Sequence, residues 1–273
     1  MSEADYQWRD KGAVITGAAS GIGLGLAQAA HERGMRVMLV DRDADALADA
    51  CKTLDGAIAV PTDVTDQAAM DTLAERAFGE LGNVALLFNN AGIMATGFSW
   101  EIEPARWEAS WRVNVEGVLN GMRAFIPRLL KAGTPSRIIN TASVGGFLPS
   151  PLMSPYSATK FAVVALTEGL KGELAMIDAP VSVSLLAPGP VRSAIFDDPF
   201  GEIVDPATGG FVEHLRGMIG AHGMDPGDFA DKVFQALNAG EYWIVPQPEA
   251  LDPALEARYR MIAERSQPDF SLG

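Results

Sequence analysis

The sequence predicts an α/β protein with a doubly wound, mostly parallel sheet of about seven strands and helices on both faces. Short apolar segments alternate along the chain with longer amphipathic segments, as in successive β–α–β units. The apolar segments lack a polar face, which is typical of strands that helices cover on both sides. A glycine-rich turn joins the first apolar segment to the first amphipathic one, and no linker interrupts the pattern. We therefore expect residues 1–273 to form a single domain.

The elements follow one another in order after a short polar arm. Strands are expected at 13–16, 35–40, 57–60, 84–88, 137–140, 181–186 and 242–245. Helices are expected at 21–33, 43–54, 65–81, 104–131, 155–177, 226–237 and 253–265. Gly117, Gly121 and Pro127 are expected to weaken or kink the helix at 104–131, because glycine and proline are poor helix formers.

The segment from Pro188 to Met224 loses the periodicity and is rich in glycine and proline, with apolar residues scattered among them. Long irregular segments in compact domains usually serve function. We expect a substrate loop or lid at about 190–225.

Composition excludes several classes of function. Lys and Arg number 21 against 35 Asp and Glu, a formal net charge of −14. The negative electrostatic potential of such a chain repels phosphate backbones and anionic lipid, so we expect neither nucleic acid nor a membrane as partner. Cys51 is the single cysteine, and His31, His214 and His222 lack ligand-like spacing, so we expect no metal site. The polar N-terminus and the absence of a long apolar run make the cytoplasm the expected location.

The turn after the first strand has the pattern of a dinucleotide-binding turn. Its glycines permit a tight turn and a close backbone approach, and the following helix presents unpaired N–H groups to a pyrophosphate. The candidate cofactor-binding residues of this turn are Gly17, Ser20, Gly21, Ile22 and Gly23.

An acidic residue closes the second strand, where a carboxylate can accept hydrogen bonds from ribose hydroxyls. This residue is Asp41, and its charge opposes a 2′-phosphate, so we expect NAD as the cofactor in preference to NADP. The neighbouring Arg42 leaves the NADP alternative open, because a guanidinium can receive a phosphate.

Tyr156 and Lys160 lie four residues apart at the start of a predicted helix, behind Pro155. This spacing places both side chains on one helix face. A phenol with a pKa of ~10 needs a nearby cation to act as a base at neutral pH. The pair therefore predicts a catalytic acid/base with its supporting ammonium.

Further motifs accompany this pair in a fixed order. They are Thr16-Gly17-xxx-Gly21-Ile22-Gly23, Asp63-Val64, Asn89-Asn90-Ala91-Gly92, Asn114, Ser143, Tyr156-xxx-Lys160 and Pro188-Gly189. Their order and spacing resemble the short-chain dehydrogenases/reductases over about residues 10–195. The resemblance implies a Rossmann-like fold and hydride transfer between a nicotinamide cofactor and an alcohol or ketone.

The resemblance also implies a role for each of four catalytic residues. Tyr156 would exchange a proton with the substrate oxygen, and Ser143 would hydrogen-bond that oxygen. Lys160 would bind the nicotinamide ribose and lower the pKa of Tyr156. Asn114 would hold a water that links Lys160 to solvent.

Additional cofactor contacts are implied for three segments after predicted strands. Asp63 and Val64 would meet the adenine, the 90–92 segment would line the cofactor cleft, and the 188–193 segment would cradle the nicotinamide amide. The residues are Asp63, Val64, Asn90, Ala91, Gly92, Pro188, Gly189, Val191 and Ser193. The family usually has threonine where Ser193 stands, and the hydroxyl is retained.

The residues expected around the substrate are mostly apolar and include no basic residue. They are Met94, Phe98, Phe147, Leu148, Leu152, Met153, Ile195, Phe196, Phe200, Phe211 and Met218. They favour a bulky, uncharged or aromatic alcohol or ketone. The segments 117–122, 125–128, 223–226 and 242–246 look like those of dehydrogenases that oxidise benzylic alcohols of lignin-type aryl ethers.

Other interpretations remain open. One is an NADPH-dependent ketone or 3-oxoacyl reductase, and another is a nucleotide-binding sensor without chemistry. A sugar-nucleotide epimerase is disfavoured by the length and the glycine spacing. The resemblance also implies a homodimer or homotetramer, formed through the helices at 104–131 and 155–177.

Overall fold

A seven-stranded parallel sheet forms the centre of the protein in a computed structural model that describes residues 3–193, 195 and 206–268. The strands are β1 (Gly12–Thr16), β2 (Arg36–Asp41), β3 (Ile58–Pro61), β4 (Val84–Asn89), β5 (Ser136–Thr141), β6 (Val181–Leu186) and β7 (Trp243–Ile244). Their order is β3-β2-β1-β4-β5-β6-β7, and every neighbouring pair is parallel. The order reverses between β1 and β4, the usual position of a ligand cleft in such sheets.

Helices cover both faces of the sheet. They are α1 (Gly21–Glu32), α2 (Ala44–Lys52), α3 (Gln67–Leu81), α4 (Pro104–Trp111), α5 (Gly117–Ala132), α6 (Ser154–Met176), α7 (Pro206–His222), α8 (Pro226–Asn238) and α9 (Pro248–Glu264). One core cluster joins α1, α2 and α8 to the sheet, and a second joins α3, α5 and α6 to its other face. Along β1, Ile15 lies in the first cluster and Val14 in the second, because strand side chains alternate. The expected α/β fold is confirmed.

Three aspartates begin helices on the polar edges of these layers. Asp43 caps α2 by accepting a hydrogen bond from the Ala46 amide. Asp66 caps α3 by accepting from the amides of Ala68 and Ala69. Asp225 accepts from the Gly227 amide at the start of α8. Each carboxylate satisfies an N–H that has no partner inside its helix. Among the residues that the structure describes, no helix is long and apolar enough to cross a membrane.

The single helix expected at 104–131 is instead three segments. A π-helical turn (Arg112–Glu116) separates α4 from α5, and Pro127 lies inside α5 without ending it. Gly121 serves close packing, because a Cβ there would lie 2.1 Å from Asn89 Oδ1. The helix is thus irregular next to Gly117, as its glycines suggested, although the irregular turn precedes that residue.

The expectation of an irregular segment from Pro188 to Met224 is wrong over 206–222, which form α7. Buried Val212 and Ile219 lie on this helix, and their packing outweighs the low helix propensity of its glycines. The terminal helix also begins earlier than expected, at Pro248, and Pro253 lies inside it. Proline is well tolerated in the first turn of a helix, so Pro248 suits that position.

Candidate active site

A cleft of about 910 Å³ opens at the carboxyl edge of the sheet, beside the β1–β4 pair where the strand order reverses. Most of the residues expected from the sequence line it, although they come from distant parts of the chain. They are Gly17, Ser20, Gly21, Ile22, Gly23, Asp41, Arg42, Asn90, Ala91, Gly92, Ser143, Tyr156, Lys160, Pro188, Gly189, Val191 and Ser193. The fold thus assembles one site from turns that follow five different strands.

The glycine-rich turn is held against the end of β4. Asn90 and Ala91 donate their amides to Thr16 Oγ1 at 2.9 and 3.1 Å, and Asn90 Nδ2 donates to the Thr16 carbonyl at 3.0 Å. A Cβ at Gly23 would lie 2.0 Å from the Gly17 carbonyl oxygen, so the helix can approach the turn only with glycine there. Gly17 itself has a φ of +67°, which favours glycine.

Asp41 lies beside this turn at the end of β2. Its Oδ2 accepts from the Ala19 amide and its Oδ1 accepts from the Asp43 amide, both at 3.2 Å. The carboxylate is therefore fixed at the wall of the cleft, next to the N-terminus of α1. A close-fitting turn, a helix N-terminus and an oriented carboxylate together fit the pyrophosphate and ribose of a dinucleotide.

Tyr156 and Lys160 project from the first turns of α6, where Pro155 occupies a favoured position. Both are buried, with Tyr156 8% and Lys160 3% exposed. Lys160 Nζ lies 5.6 Å from the centre of the Tyr156 ring and donates a 2.9 Å hydrogen bond to the Thr141 carbonyl. Ser143 follows β5, accepts from the Gly145 amide, and hydrogen-bonds the Tyr156 hydroxyl. Phenol, ammonium and hydroxyl thus meet in the cleft.

Burial shifts both titratable groups away from their charged forms. Burial raises the pKa of Tyr156 above its ordinary value of 10.0, and the hydrogen bond with Ser143 acts in the opposite direction. Burial also lowers the pKa of Lys160 to about 8. For the chain by itself, desolvation of the phenolate dominates the pKa of Tyr156, and a lowering of that pKa by Lys160 stays a prediction.

Asn114 lies on the π-helical turn and is completely buried. Its Oδ1 accepts from the Ile93 amide at 2.8 Å, and its Nδ2 donates to the Ile93 carbonyl at 2.9 Å and to Thr159 Oγ1 at 3.0 Å. Thr159 was missed by the sequence analysis. Its position three residues after Tyr156 on the same helix was the available signal.

Three expected residues do not line the cleft. Asn114 lies behind its wall, as described above. Asp63 is exposed and accepts from the Thr65 amide, while buried Val64 packs close to Gly117 and accepts from Asn120 through its carbonyl. A contact of Asp63 and Val64 with adenine stays a prediction.

The remainder of the cleft is mostly apolar. Of the residues expected there, Met94, Leu148, Met153, Ile195 and Met218 line it, and Ala95, Leu215 and Ile219 join them. Phe98, Phe147, Leu152 and Phe211 are absent from its lining, and Phe98 instead stacks on Trp100. Phe196 and Phe200 lie outside the described residues.

Helix α4 also contributes Arg106, Ala109 and Ser110 to the lining. The residues expected around the substrate did not include Arg106, which is a basic residue of the cleft lining. Arg106 and Ser110 precede Asn114 at intervals of four, so the helix face that carries Asn114 was the signal that the sequence analysis missed. Within the described part of the chain, no three His, Cys, Asp or Glu side chains gather to hold a metal ion.

Comparison with known proteins identifies the family. The family model of the short chain dehydrogenases matches residues 11–200, and the chain belongs to this family. It is therefore an oxidoreductase with a nicotinamide dinucleotide cofactor, as the resemblance implied.

Three similar proteins cover nearly the whole chain. A short chain dehydrogenase/reductase from Burkholderia phymatum, solved in complex with NAD, superposes with a TM-score of 0.93 at 34% identity, covering 98% of this chain and 99% of that one. A CLA biosynthesis dehydrogenase/reductase from Lactiplantibacillus plantarum is 31% identical, covering 97% of each chain. A C alpha-dehydrogenase from Sphingobium sp. strain SYK-6 is 31% identical, covering 97% of this chain and 88% of that relative.

Proposed function

We propose that the protein interconverts a secondary alcohol and its ketone with NAD(H), and that the substrate has a bulky apolar or aromatic body. One observation carries the proposal: the Tyr156 hydroxyl, its partner Ser143 and the Lys160 ammonium line the same cleft as the glycine-rich turn. This combination provides proton transfer beside a dinucleotide site. A sensor without chemistry has no need of the buried phenol and ammonium.

Each side chain has a distinct task in this proposal. When bound, the dinucleotide supplies the hydride acceptor in oxidation and the donor in reduction. Tyr156 exchanges a proton with the substrate oxygen, and Ser143 holds that oxygen through a second hydrogen bond. Lys160 binds the ribose and stabilises the phenolate. Asn114 supports a water that links the Lys160 ammonium to solvent for proton transfer. The buried phenol has a raised pKa, so it is protonated and ready to act as an acid in ketone reduction at neutral pH.

The preference for NAD rests on Asp41. Its carboxylate is fixed by two backbone amides at the end of β2, where we expect the ribose hydroxyls to bind. The related Burkholderia phymatum structure holds NAD. The second candidate, an NADPH-dependent ketone or 3-oxoacyl reductase, is favoured by Arg42, which also lines the cleft. Comparing kcat/KM with the two cofactors separates them, because a strong NADPH preference contradicts the role given to Asp41.

The substrate body is inferred from the apolar part of the lining, in which methionines and aliphatic side chains predominate. The segments that look like those of benzylic-alcohol dehydrogenases support aryl carbinols as substrates, and a C alpha-dehydrogenase is among the similar proteins. A panel of secondary alcohols of graded size tests this inference by NADH formation. Much faster oxidation of small aliphatic alcohols or sugars would reject it.

We also propose the wider organisation implied by the sequence. The chain forms one domain, the segment at about 190–225 acts as a lid, and α7 contributes Leu215, Met218 and Ile219 to its inner side. Two or four copies assemble through α5 and α6. The cytoplasm remains the proposed location, in keeping with the single cysteine Cys51.

The decisive experiment is Tyr156→Phe, which removes the exchangeable proton and keeps the ring. We expect turnover to fall by about 10²- to 10⁴-fold while NADH fluorescence still reports binding. Tyr259→Phe is the matched control, because Tyr259 is 59% exposed on α9. Unchanged turnover in the Tyr156 variant would overturn the proposed function.

A further inference from the structure

We propose that α4 provides a subsite for a carboxylate of the substrate, formed by Arg106 and Ser110. The preferred substrate is then a secondary alcohol or ketone with an apolar body and a carboxylate remote from the reacting carbon. This inference rests on the proposed function and names the substrate class more closely.

Arg106 and Ser110 both line the cleft, and a spacing of four residues places them one turn apart on the same face of α4. Helix α4 packs on α6 and on the π-helical turn. The pair therefore belongs to the half of the cleft that contains Tyr156, away from the end of β2. A group bound there is part of the substrate and not of the adenosine.

The charges in the cleft are unevenly placed. Among the described residues that line it, the charged ones are Asp41, Arg42, Asp43, Lys160 and Arg106. The first three lie at the end of β2 or directly after it, and Lys160 is buried and hydrogen-bonded to the Thr141 carbonyl. Arg106 is thus the charged lining residue of the substrate half. Because the chain carries a net charge of −14, an anionic substrate needs such a local cation to be held.

Ser110 supplies an independent observation. The residue is 0% exposed, and within the part of the chain that the structure describes its hydroxyl has no hydrogen-bond partner. Leaving a buried hydroxyl unpaired is unfavourable, and such groups in proteins are nearly always satisfied. A polar ligand atom on this side of the cleft would accept its proton.

Arg106 suits a carboxylate in particular. It is half-buried, and it also has an interaction within the chain. A guanidinium offers five N–H donors in a planar fork, a geometry that matches the two oxygens of a carboxylate. Apolar residues, including Met94, Met153 and Leu215, line the same cleft. Their low polarity strengthens a charge-assisted hydrogen bond.

The test compares carboxylates with their primary amides, which keep the shape and remove the charge. The substrates are 4-(1-hydroxyethyl)benzoate, its homologues with longer methylene spacers before the carboxylate, and the amide of each. In the unaltered enzyme with NAD we expect a lower KM for at least one acid than for its amide. Arg106→Gln is expected to raise the KM of that acid about 10- to 100-fold and to change the amide little. Ser110→Ala should raise the KM of the acid less, and Arg260→Gln, an exposed change on α9, should have no effect.

Binding is measured separately from turnover. With NADH present the hydroxy acids cannot be oxidised, so calorimetry of the holoenzyme reports their affinity alone. We expect the preferred acid to bind about 10-fold more weakly to Arg106→Gln, while NADH fluorescence stays unchanged and shows that the cofactor site is intact.

The two proposals fail in different ways. If acids and amides bind equally at every length, or if Arg106→Gln weakens both alike, the carboxylate subsite is wrong, although carbinol oxidation that depends on Tyr156 still stands. If no carbinol is oxidised but the acids bind through Arg106, the subsite stands and the proposed function is wrong.

Discussion

Thr159 Oγ1 accepts a 3.0 Å hydrogen bond from Asn114 Nδ2, and the same hydroxyl donates a 2.8 Å bond to the Tyr156 carbonyl. Because its single proton is committed to that carbonyl, the hydroxyl can only accept from the amide. The Asn114 side chain is thereby held with its oxygen toward the Ile93 amide. A buried threonine thus couples the π-helical turn to the first two turns of α6, which carry Tyr156 and Lys160.

Replacing Thr159 with valine keeps the shape and removes both hydrogen bonds. The Asn114 amide and the Tyr156 carbonyl lose a partner, so we expect the free energy of unfolding to fall by about 1–3 kcal/mol. We also expect kcat to fall by roughly 10-fold with little change in KM, since the proposed proton path loses its orientation. Thr159→Ser should restore both values. If valine and serine variants share the same kcat and pH profile, Thr159 has only a packing role.

Burial of Lys160 predicts a specific dependence of stability on pH. Its pKa falls from 10.5 to about 8 on folding, so between these values the unfolded chain binds more protons than the folded one. The free-energy cost of burying the charged ammonium is therefore present at pH 7. It disappears as pH rises from 8 to 10.5, so the free energy of unfolding increases by about 3 kcal/mol over this range.

Lys160→Met isolates this contribution. The unfolding free energy of the lysine protein, minus that of the methionine variant, should rise across this pH range. Both proteins should carry Tyr156→Phe, because burial also raises the pKa of the phenol and its titration would overlap. Denaturant unfolding at fixed pH values measures the difference. A difference that is constant from pH 7 to 10.5 would contradict the lowered pKa of Lys160.

Two glycine-to-alanine changes should act in opposite directions. At Gly23 a Cβ would lie 2.0 Å from the Gly17 carbonyl oxygen, so Gly23→Ala forces the cofactor turn apart. We expect a loss of at least about 2 kcal/mol in stability and loss of NADH binding, since overpacking at a fixed backbone cannot relax. Gly79→Ala is the matched change on α3, where a Cβ meets nothing within 4 Å. It should raise stability by about 0.5–1 kcal/mol through helix propensity. Thermal melting and NADH fluorescence of the two variants provide the measurement, and intact NADH binding in Gly23→Ala would refute the close-packed turn.

Local spacing accounts for much of what could be predicted. Tyr156 and Lys160 share a helix face because four residues make about one turn, and both line the cleft. Asp41 and the glycine-rich turn meet because parallel strands end at one edge of a sheet, and their hydrogen bond through Ala19 follows from that edge. Helix α7 was not predicted, because its glycines lower the helix propensity and interrupt the helical spacing of its apolar residues. The packing of Val212 and Ile219 in the core stabilises the helix.

The sequence by itself determined the parallel α/β sheet, the dinucleotide turn and the Tyr156–Lys160 pair, because each depends on residues close together in the chain or on strand ends in a regular sheet. Tertiary structure alone decided that Thr159 orients Asn114, that Arg106 reaches the cleft, and that burial raises the pKa of Tyr156. These features depend on an irregular helical turn, on the packing of α4 and on desolvation, which arise only when distant segments meet.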